Sequence, residues 1–228
     1  MNYNRLPVVW KITIPVATIF VFSVMLCVVS LNSLYNSMLQ ERINTIEHIT
    51  NTAKSIAASY HAKEVAGEMS REEAQNAAKA AIGAMRYEGD NYLFVFDYKS
   101  VTLVHVKEKL IGKDLSDLTD ANGTRIIDSL VKQAKAGGGE LLYQWPRAGS
   151  ETPIDKWGWA EGFQPWGWMM GTGVYVDDLD AAYWSQAFVI IALTAVGALI
   201  AFAIAFVSIK SIVRPVTALT SNMNTLAE

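Results

Sequence analysis

Two uncharged runs decide most of what this chain can become. Ile12 to Leu31 is twenty residues without a charged side chain, and Ala187 to Ile209 is twenty-three. At about 1.5 Å rise per residue, a helix built from either run reaches across the roughly 30 Å hydrocarbon core of a bilayer. Buried helices of soluble domains rarely stay uncharged for so long, so both runs read as membrane-spanning helices. They also account for a mean hydropathy of +0.19. A cleaved signal peptide fits the first run poorly, because the stretch exceeds the roughly 7–15 residues of a signal core and no small-x-small cleavage site stands out. Leu26 precedes Cys27 where a lipoprotein site needs a small residue. The first run is therefore read as a signal anchor.

The flanks set the orientation. Arg5 and Lys11 precede the first run, and Lys210 and Arg214 follow the second, whereas Asp177, Asp178 and Asp180 stand on the outer side of the second. Positive residues stay inside, which predicts a two-pass protein of a bacterial inner membrane with both termini cytoplasmic and residues 32–186 in the periplasm. The expected division is 1–11 cytoplasmic, 12–31 first span, 32–186 sensor-sized domain, 187–209 second span and 210–228 cytoplasmic. The outer segment holds 15 of the 19 Lys and Arg and 21 of the 22 Asp and Glu, a formal charge of −6 that argues against nucleic acid. Its 155 residues are enough for one domain with its own core. The only cysteine, Cys27, lies within the first run, so the outer domain is held by packing alone, as suits a bacterial periplasmic domain. Asn122-Gly123-Thr124 matches a glycosylation sequon but reads more simply as a turn.

Helical character continues past the first run. Ile46, Ile49, Ala53, Ile56 and Tyr60 step by three and four, a line on one helix face that serves either packing on its own domain or contact with a second subunit. Gly67 ends or bends this helix. Ser70 with Glu73 has the form of a capping box, and the alanine-rich helix it opens runs to about Met85. Strands are expected at Asn91–Asp97, Val101–Val106, Glu140–Trp145, Asp155–Phe163 and Trp168–Val176, with a helix from Ile126 to Ala134 ended by Gly137-Gly138-Gly139. Asp177 is expected to cap the helix that follows, with Asp178 and Asp180 in its first turn. The fold class is α+β: a mainly antiparallel sheet with a long N-terminal helix, helices on one side, flanked by two membrane helices.

A set of short motifs carries a resemblance. Met85-Arg86-Tyr87, Asp90 to Val95, Leu103-Val104-His105, Gly112 to Leu115, Asp120 to Gly123, Gly137 to Gly139, Tyr143 to Pro146, Pro165 to Trp168 and Gly171 to Asp178 follow one another over about residues 35–185. In that order and spacing the segment resembles the single-Cache sensor domains of the second subtype, found in bacterial chemoreceptors such as methyl-accepting chemotaxis proteins, in histidine kinases and in related proteins. Arg214-Pro215 is similar to the beginning of a HAMP signal-relay segment that would continue beyond Glu228. The resemblance implies a PAS-like sheet that binds a small metabolite, often a short organic acid, and a dimeric receptor. The chain departs from the family in having His105-Val106 where His-Pro is common, and in the run Lys156-Trp157-Gly158-Trp159.

A small carboxylate needs a cation or several N–H and O–H donors in a pocket walled by apolar surface. Arg86 offers a bidentate fork or a surface ion pair with Glu88 or Asp90. Lys156 sits where the resemblance implies a pocket-lining lysine. His105, among Leu103, Val104 and Val106, is either a satisfied sheet histidine or a ligand donor. Tyr92, Tyr143 and Tyr175 can each give a hydroxyl while packing a ring, and Trp145 and Trp168 are candidates for a cover over a small ligand. Enzymatic signatures are missing: there is no Gly-x-Ser-x-Gly, no phosphate-binding loop, and His48, His61 and His105 lack metal-ligand spacing. No cofactor or metal is expected.

The expected function is a transmembrane receptor, most simply for chemotaxis, whose outer domain binds a C2–C4 carboxylate and signals through the second span to cytoplasmic partners. The helix from Ile46 to Tyr60 would form a homodimer contact. One alternative is the sensor module of a histidine kinase or diguanylate cyclase. Another, of a different class, is a membrane-anchored structural or adaptor domain without ligand.

Overall fold

The structure is a computed structural model that describes residues 7–89, 91–213 and 215. Arg5, Asp90, Arg214 and most of the expected relay segment lie outside the described residues. The described residues form two compact units, one made of those up to 36 together with those from 183 onward, and one of those within 37–182. In the first unit, helices α1 (Val8–Val65) and α4 (Val176–Ser208) contribute their uncharged runs, and both helices are long and apolar enough to cross a membrane. Phe20 and Phe202 meet there with ring centres 5.4 Å apart, as do Tyr35 and Tyr183. Side chains such as Val21, Phe188, Leu193 and Phe206 are exposed, as lipid-facing residues would be.

The second unit begins with the rest of α1. Gly67, at φ +75°, ends the helix in the left-handed conformation that only glycine adopts cheaply. Helix α2 (Arg71–Gly83) opens on the expected capping box: the Glu73 N–H donates to Ser70 Oγ at 3.2 Å, and the Ser70 N–H donates to Glu73 Oε2 at 2.8 Å. A small hairpin, β1 (Arg86–Tyr87) with β2 (Asn91–Tyr92), precedes the main sheet. That sheet is antiparallel throughout, with β3 (Phe94–Asp97), β4 (Thr102–Val104), β5 (Gly139–Pro146), β6 (Pro153–Phe163) and β7 (Trp168–Tyr175) in the order β4-β3-β7-β6-β5. This is an α+β, PAS-like sheet. Helix α3 (Ile126–Lys135) crosses between β4 and β5 and buries Ile126, Ile127, Leu130, Val131 and Ala134.

Four expectations change. The helices do not share one side. Alternation along the strands divides the sheet into two apolar faces: Val95, Phe163, Trp168 and Met170 pack with α1 and α2, while Phe94, Phe96, Tyr143 and Met169 pack with α3. A sheet buried on both faces needs helices on both. The line from Ile46 to Tyr60 packs inside its own domain, with Ile46 and Ala53 fully buried and Ile49, Ile56 and Tyr60 against the same core, so it does not face a second subunit. Asp177 is not an N-cap. Strand β7 passes into α4 with no residue between Tyr175 and Val176, which places Asp177 and Asp178 in the first helical turn. The expected first strand is also divided, into β2 and β3.

Strand β7 is the middle of the sheet and is buried at all eight positions. Gly171 lets it lie there: a Cβ would stand 2.5 Å from the Phe94 ring and 2.7 Å from the Trp159 carbonyl oxygen. Gly171→Ala should therefore destabilise the domain by about 1–3 kcal/mol, measured as a lower urea midpoint at unchanged slope.

Candidate ligand-binding site

Cross-strand register assembles the site. Tyr143 on β5, Lys156 on β6 and Tyr175 on β7 stand in one row, so their side chains leave the sheet on the face covered by α3. The adjoining row is Leu141, Gly158 and Gly173. Its glycines give the larger side chains room to lean: a Cβ on Gly158 would come within 2.7 Å of the Tyr143 ring, and one on Gly173 within 2.8 Å of Lys156 Cε. Tyr92 arrives from the end of β2, and His105 from the loop just past β4.

Lys156 is fully buried, and its Nζ makes no hydrogen bond among the described residues. It lies 4.7 Å from the centre of the Tyr92 ring and 4.6 Å from that of Tyr175. Two cation–π contacts, roughly 0.5–2 kcal/mol each, recover only part of the hydration an ammonium loses. Burial therefore pushes the amine down from the ordinary 10.5 to about 7, and the charge of Arg147 adds to the effect.

Of the hydroxyls around it, that of Tyr92 is held by a ring nitrogen and that of Tyr175 donates to the Pro146 carbonyl oxygen at 3.2 Å. Trp145 Nε1 donates to Tyr92 Oη at 3.0 Å. The Lys107 backbone N–H donates to His105 Nδ1 at 2.9 Å, so the neutral imidazole carries its proton on Nε2, which lies 3.5 Å from Tyr92 Oη. Burial, with the charges of Lys156 and Lys107, pushes His105 down to about 3, and the ring is neutral at ordinary pH. Burial raises Tyr92 and drives Tyr143 well above its ordinary 10. It also pushes Tyr175 up to about 12. All three tyrosines keep their protons and remain donors.

Beside this group is a small cavity of about 10 Å³, roughly the room one water needs. Its wall has a polar end, Tyr92, His105, Tyr143 and Trp145, and an apolar end, Phe94, Phe96, Ile126, Ile127 and Leu130. Lys156 is not in that wall and meets it at the Tyr92 ring. The site thus combines hydroxyl and N–H donors, one amine and an apolar floor. Among the described residues no group of three or more His, Cys, Asp and Glu gathers to hold a metal ion.

Tyr175 has a second neighbour. The Arg147 guanidinium lies 4.2 Å from its ring centre and pairs with Asp177 at 2.6 Å and Asp178 at 2.8 Å. The loop that follows β5 is thereby tied to the first turn of α4.

Of the eight candidates read from the sequence, six come together: Tyr92, His105, Tyr143, Trp145, Lys156 and Tyr175. Trp168 is on the opposite face, packed on Trp166 with ring centres 4.6 Å apart, because its position on β7 has the parity of Met170 and not of Tyr175. Arg86 lies on the surface hairpin and donates to the carbonyl oxygens of Gly83 at 2.8 Å and Met85 at 2.7 Å, so its fork holds the end of α2 and not the site. Arg147 and the α3 residues Ile126, Ile127 and Leu130 were not among the candidates. The buried stripe of α3 was visible in the sequence, but which sheet face it covers was not.

This geometry sits in a segment with clear relatives. The sequence matches the single Cache domain 2 family over residues 38–188. The chain belongs to that family. It is 33% identical over 165 residues to the methyl-accepting chemotaxis protein McpP of Pseudomonas putida, covering 72% of this chain and 30% of McpP. It is 32% identical over 153 residues to the sensor histidine kinase MctS of Rhizobium johnstonii, covering 67% of this chain and 32% of MctS. The chain thus spans about a third of the length of these curated relatives. Among solved structures, a Cache chemosensory domain described for its recognition of carboxylic acid is 34% identical with a TM-score of 0.59, matching 62% of this chain and 97% of that one. The protein therefore carries a Cache sensor domain of the kind found in chemoreceptors and histidine kinases.

The buried amine of the Cache domain gives a signed stability prediction. Unfolded, Lys156 holds its proton up to about 10.5; folded, only up to about 7. The unfolded state binds more protons between these values, so this group makes stability rise with pH across that window and lowers it below. Lys156→Met should stabilise the ligand-free domain at neutral pH by about 1–4 kcal/mol and remove that rise. Urea midpoints across pH 6–10 check both.

Proposed function

We propose that the chain is the sensing and membrane-spanning part of a receptor whose outer domain binds a small monocarboxylate on the α3 face of its sheet. The observation that carries this reading is the buried Lys156 amine, without a hydrogen-bond partner among the described residues and packed against the rings of Tyr92 and Tyr175. A carboxylate is the partner such an amine lacks. A short C2–C4 tail would enter the apolar end by widening it, and a second carboxylate is disfavoured there because Phe94, Phe96 and Ile127 could not solvate it. The carboxylic acid named for the similar Cache structure supports the same class.

Ligand would bias two arrangements of the sheet, by the difference in its affinity for them. Strand β7 carries Tyr175 from the site and continues directly into α4, so the outgoing helix is the route for the signal. The division into cytoplasmic, spanning and periplasmic parts, the inner-membrane location and a relay segment after the second span belong to this reading, supported by the flanking charges. So does a homodimer. Because the Ile46 to Tyr60 line is buried in its own domain, the contact would use the exposed face of α1 that carries Asn44, His48, Thr52 and Ser55. Chemotaxis is the favoured output, given the likeness to McpP; a histidine kinase is the second reading, given the likeness to MctS. Any catalytic module would lie beyond residue 228.

The test is a metabolite screen by thermal shift on residues 33–185. C2–C4 monocarboxylates should raise Tm, and a screen in which only amines or sugars did so would sink the reading. Affinity should also depend on pH with a definite sign. The site contains the titratable groups Lys156, His105, Tyr92, Tyr143 and Tyr175, with Arg147 beside Tyr175, and of these Lys156 changes charge near 7. A carboxylate binds the charged amine better, so calorimetric Kd should be flat below about pH 6.5 and weaken above pH 7, by up to about tenfold per unit. An affinity constant from pH 6 to 9 would remove Lys156 from the site.

A further inference from the structure

The site just described is closed. Tyr92, Phe94, Phe96, His105, Tyr143 and Trp145 are all buried, so a ligand reaches the cavity only if a side chain moves. His105 is distinguished from the others by what lies on its far side. It lines the inner cavity and also an open groove of about 600 Å³ between α2 and β4, and it is the one residue common to the two walls. The groove holds Lys79 and Arg86 against a single acid, Glu108, so its mouth is positive.

The restraints on the wall residues differ. Phe94, Phe96 and Tyr143 are on ladder-paired strands, and Ile126, Ile127 and Leu130 are on α3. His105 follows the end of β4, an edge strand, and lies outside the ladder. Its ring is held by one hydrogen bond, from the Lys107 N–H, and by the 3.5 Å approach to Tyr92 Oη. It makes edge-on contacts with Tyr92 and Trp145, at 5.1 and 5.7 Å between ring centres. The imidazole is also neutral, so swinging it outward moves no charge through the wall. The rival way in runs past Tyr175, from the cleft lined by Arg42, Glu88, Arg147 and Asp178. Tyr175 is more firmly tied: it is on the central strand, donates to the Pro146 carbonyl oxygen at 3.2 Å and is covered by Arg147. It is also absent from the cavity wall.

We propose that His105 is the door of the buried site, and that the Lys79–Arg86 groove is an outer binding site where a small organic anion is first held. This rests on the carboxylate reading above and adds a route and two residues to it. Arg86 then acts on the approach of the ligand and not in the bound complex, consistent with its place on the surface. Charges on an approach path change the association rate and its salt dependence, whereas contacts in the closed site set dissociation.

The experiment is stopped-flow tryptophan fluorescence of the full chain in nanodiscs, mixed with propionate, at low and at physiological salt. Lys79→Gln, and separately Arg86→Gln, should lower the association rate roughly three- to tenfold at low salt and flatten its salt dependence, with dissociation unchanged. Among the described residues Lys79 donates to no backbone carbonyl, so its variant separates steering from any loosening of the α2 end. His105→Ala should speed association and dissociation together. Unchanged association in all three variants, or a change confined to Arg147→Gln and Tyr175→Ala, would overturn the His105 route while leaving the site itself in place. Failure of the unaltered chain to bind propionate or any other C2–C4 carboxylate at equilibrium would overturn the site, and the route with it.

Discussion

An ammonium group loses several kcal/mol of hydration when it is enclosed, and at Lys156 the return among the described residues is two aromatic rings and no hydrogen bond. Much of the sheet is arranged around that imbalance. Gly158 and Gly173 leave the space the amine and the Tyr143 ring occupy, α3 closes the face, and Tyr92 and Tyr175 supply the rings. A protein selected for stability alone would place an apolar side chain there, since the row already has a helix to pack against. Retaining the amine makes sense when something else completes its coordination for part of the time. In the proposed reading the ligand-free domain is held short of its best stability, and a bound anion would recover the shortfall.

The proposed signal would have to travel along α4, and the chain offers a short path to that helix. Tyr175 is the last residue of β7, and Val176 is the first of α4. On one side the Tyr175 ring faces Lys156; it also faces Arg147, which holds Asp177 and Asp178. A charge appearing near Lys156 changes the field at a guanidinium that is already balanced between a ring and two carboxylates. The two acids read from the sequence as helix-start residues are in this sense part of the electrostatics of the site. Exposed ion pairs are individually weak, roughly 0–1 kcal/mol, so these would hold the loop to α4 without locking it.

How much of this was legible in the sequence follows from which interactions are local. The capping box at Ser70, the stripe of α3 and the ends of the long strands depend on neighbours within a few residues, and they were readable. The family resemblance, carried by nine short motifs, placed Lys156 and His105 among the pocket candidates. Long-range pairing was not readable. Trp168 and Tyr175 are both aromatic residues of one strand, and an odd or even offset decides which face each takes. Arg86 was in the right segment for a ligand fork, but its hairpin turns it toward two carbonyl groups at the end of α2. Asp177 looked like a cap because its chemistry suits one. The strand simply runs on into the helix and leaves no cap position there.

Arg147 shows the limit most clearly. It follows Pro146 in a stretch that reads as a polar loop, and nothing local distinguishes it from any exposed arginine. Its role comes from register: pairing of Tyr143 with Lys156, and of Lys156 with Tyr175, brings the end of β5 beside the end of β7, where the acids of α4 wait. Once that register is known, the β5–β6 loop has to lie near the first turn of α4, and a cation in it has to meet Asp177 and Asp178. The same step would have rejected Trp168 and joined Tyr143 to Lys156. A hairpin register, more than any further motif, is what the sequence reading lacked.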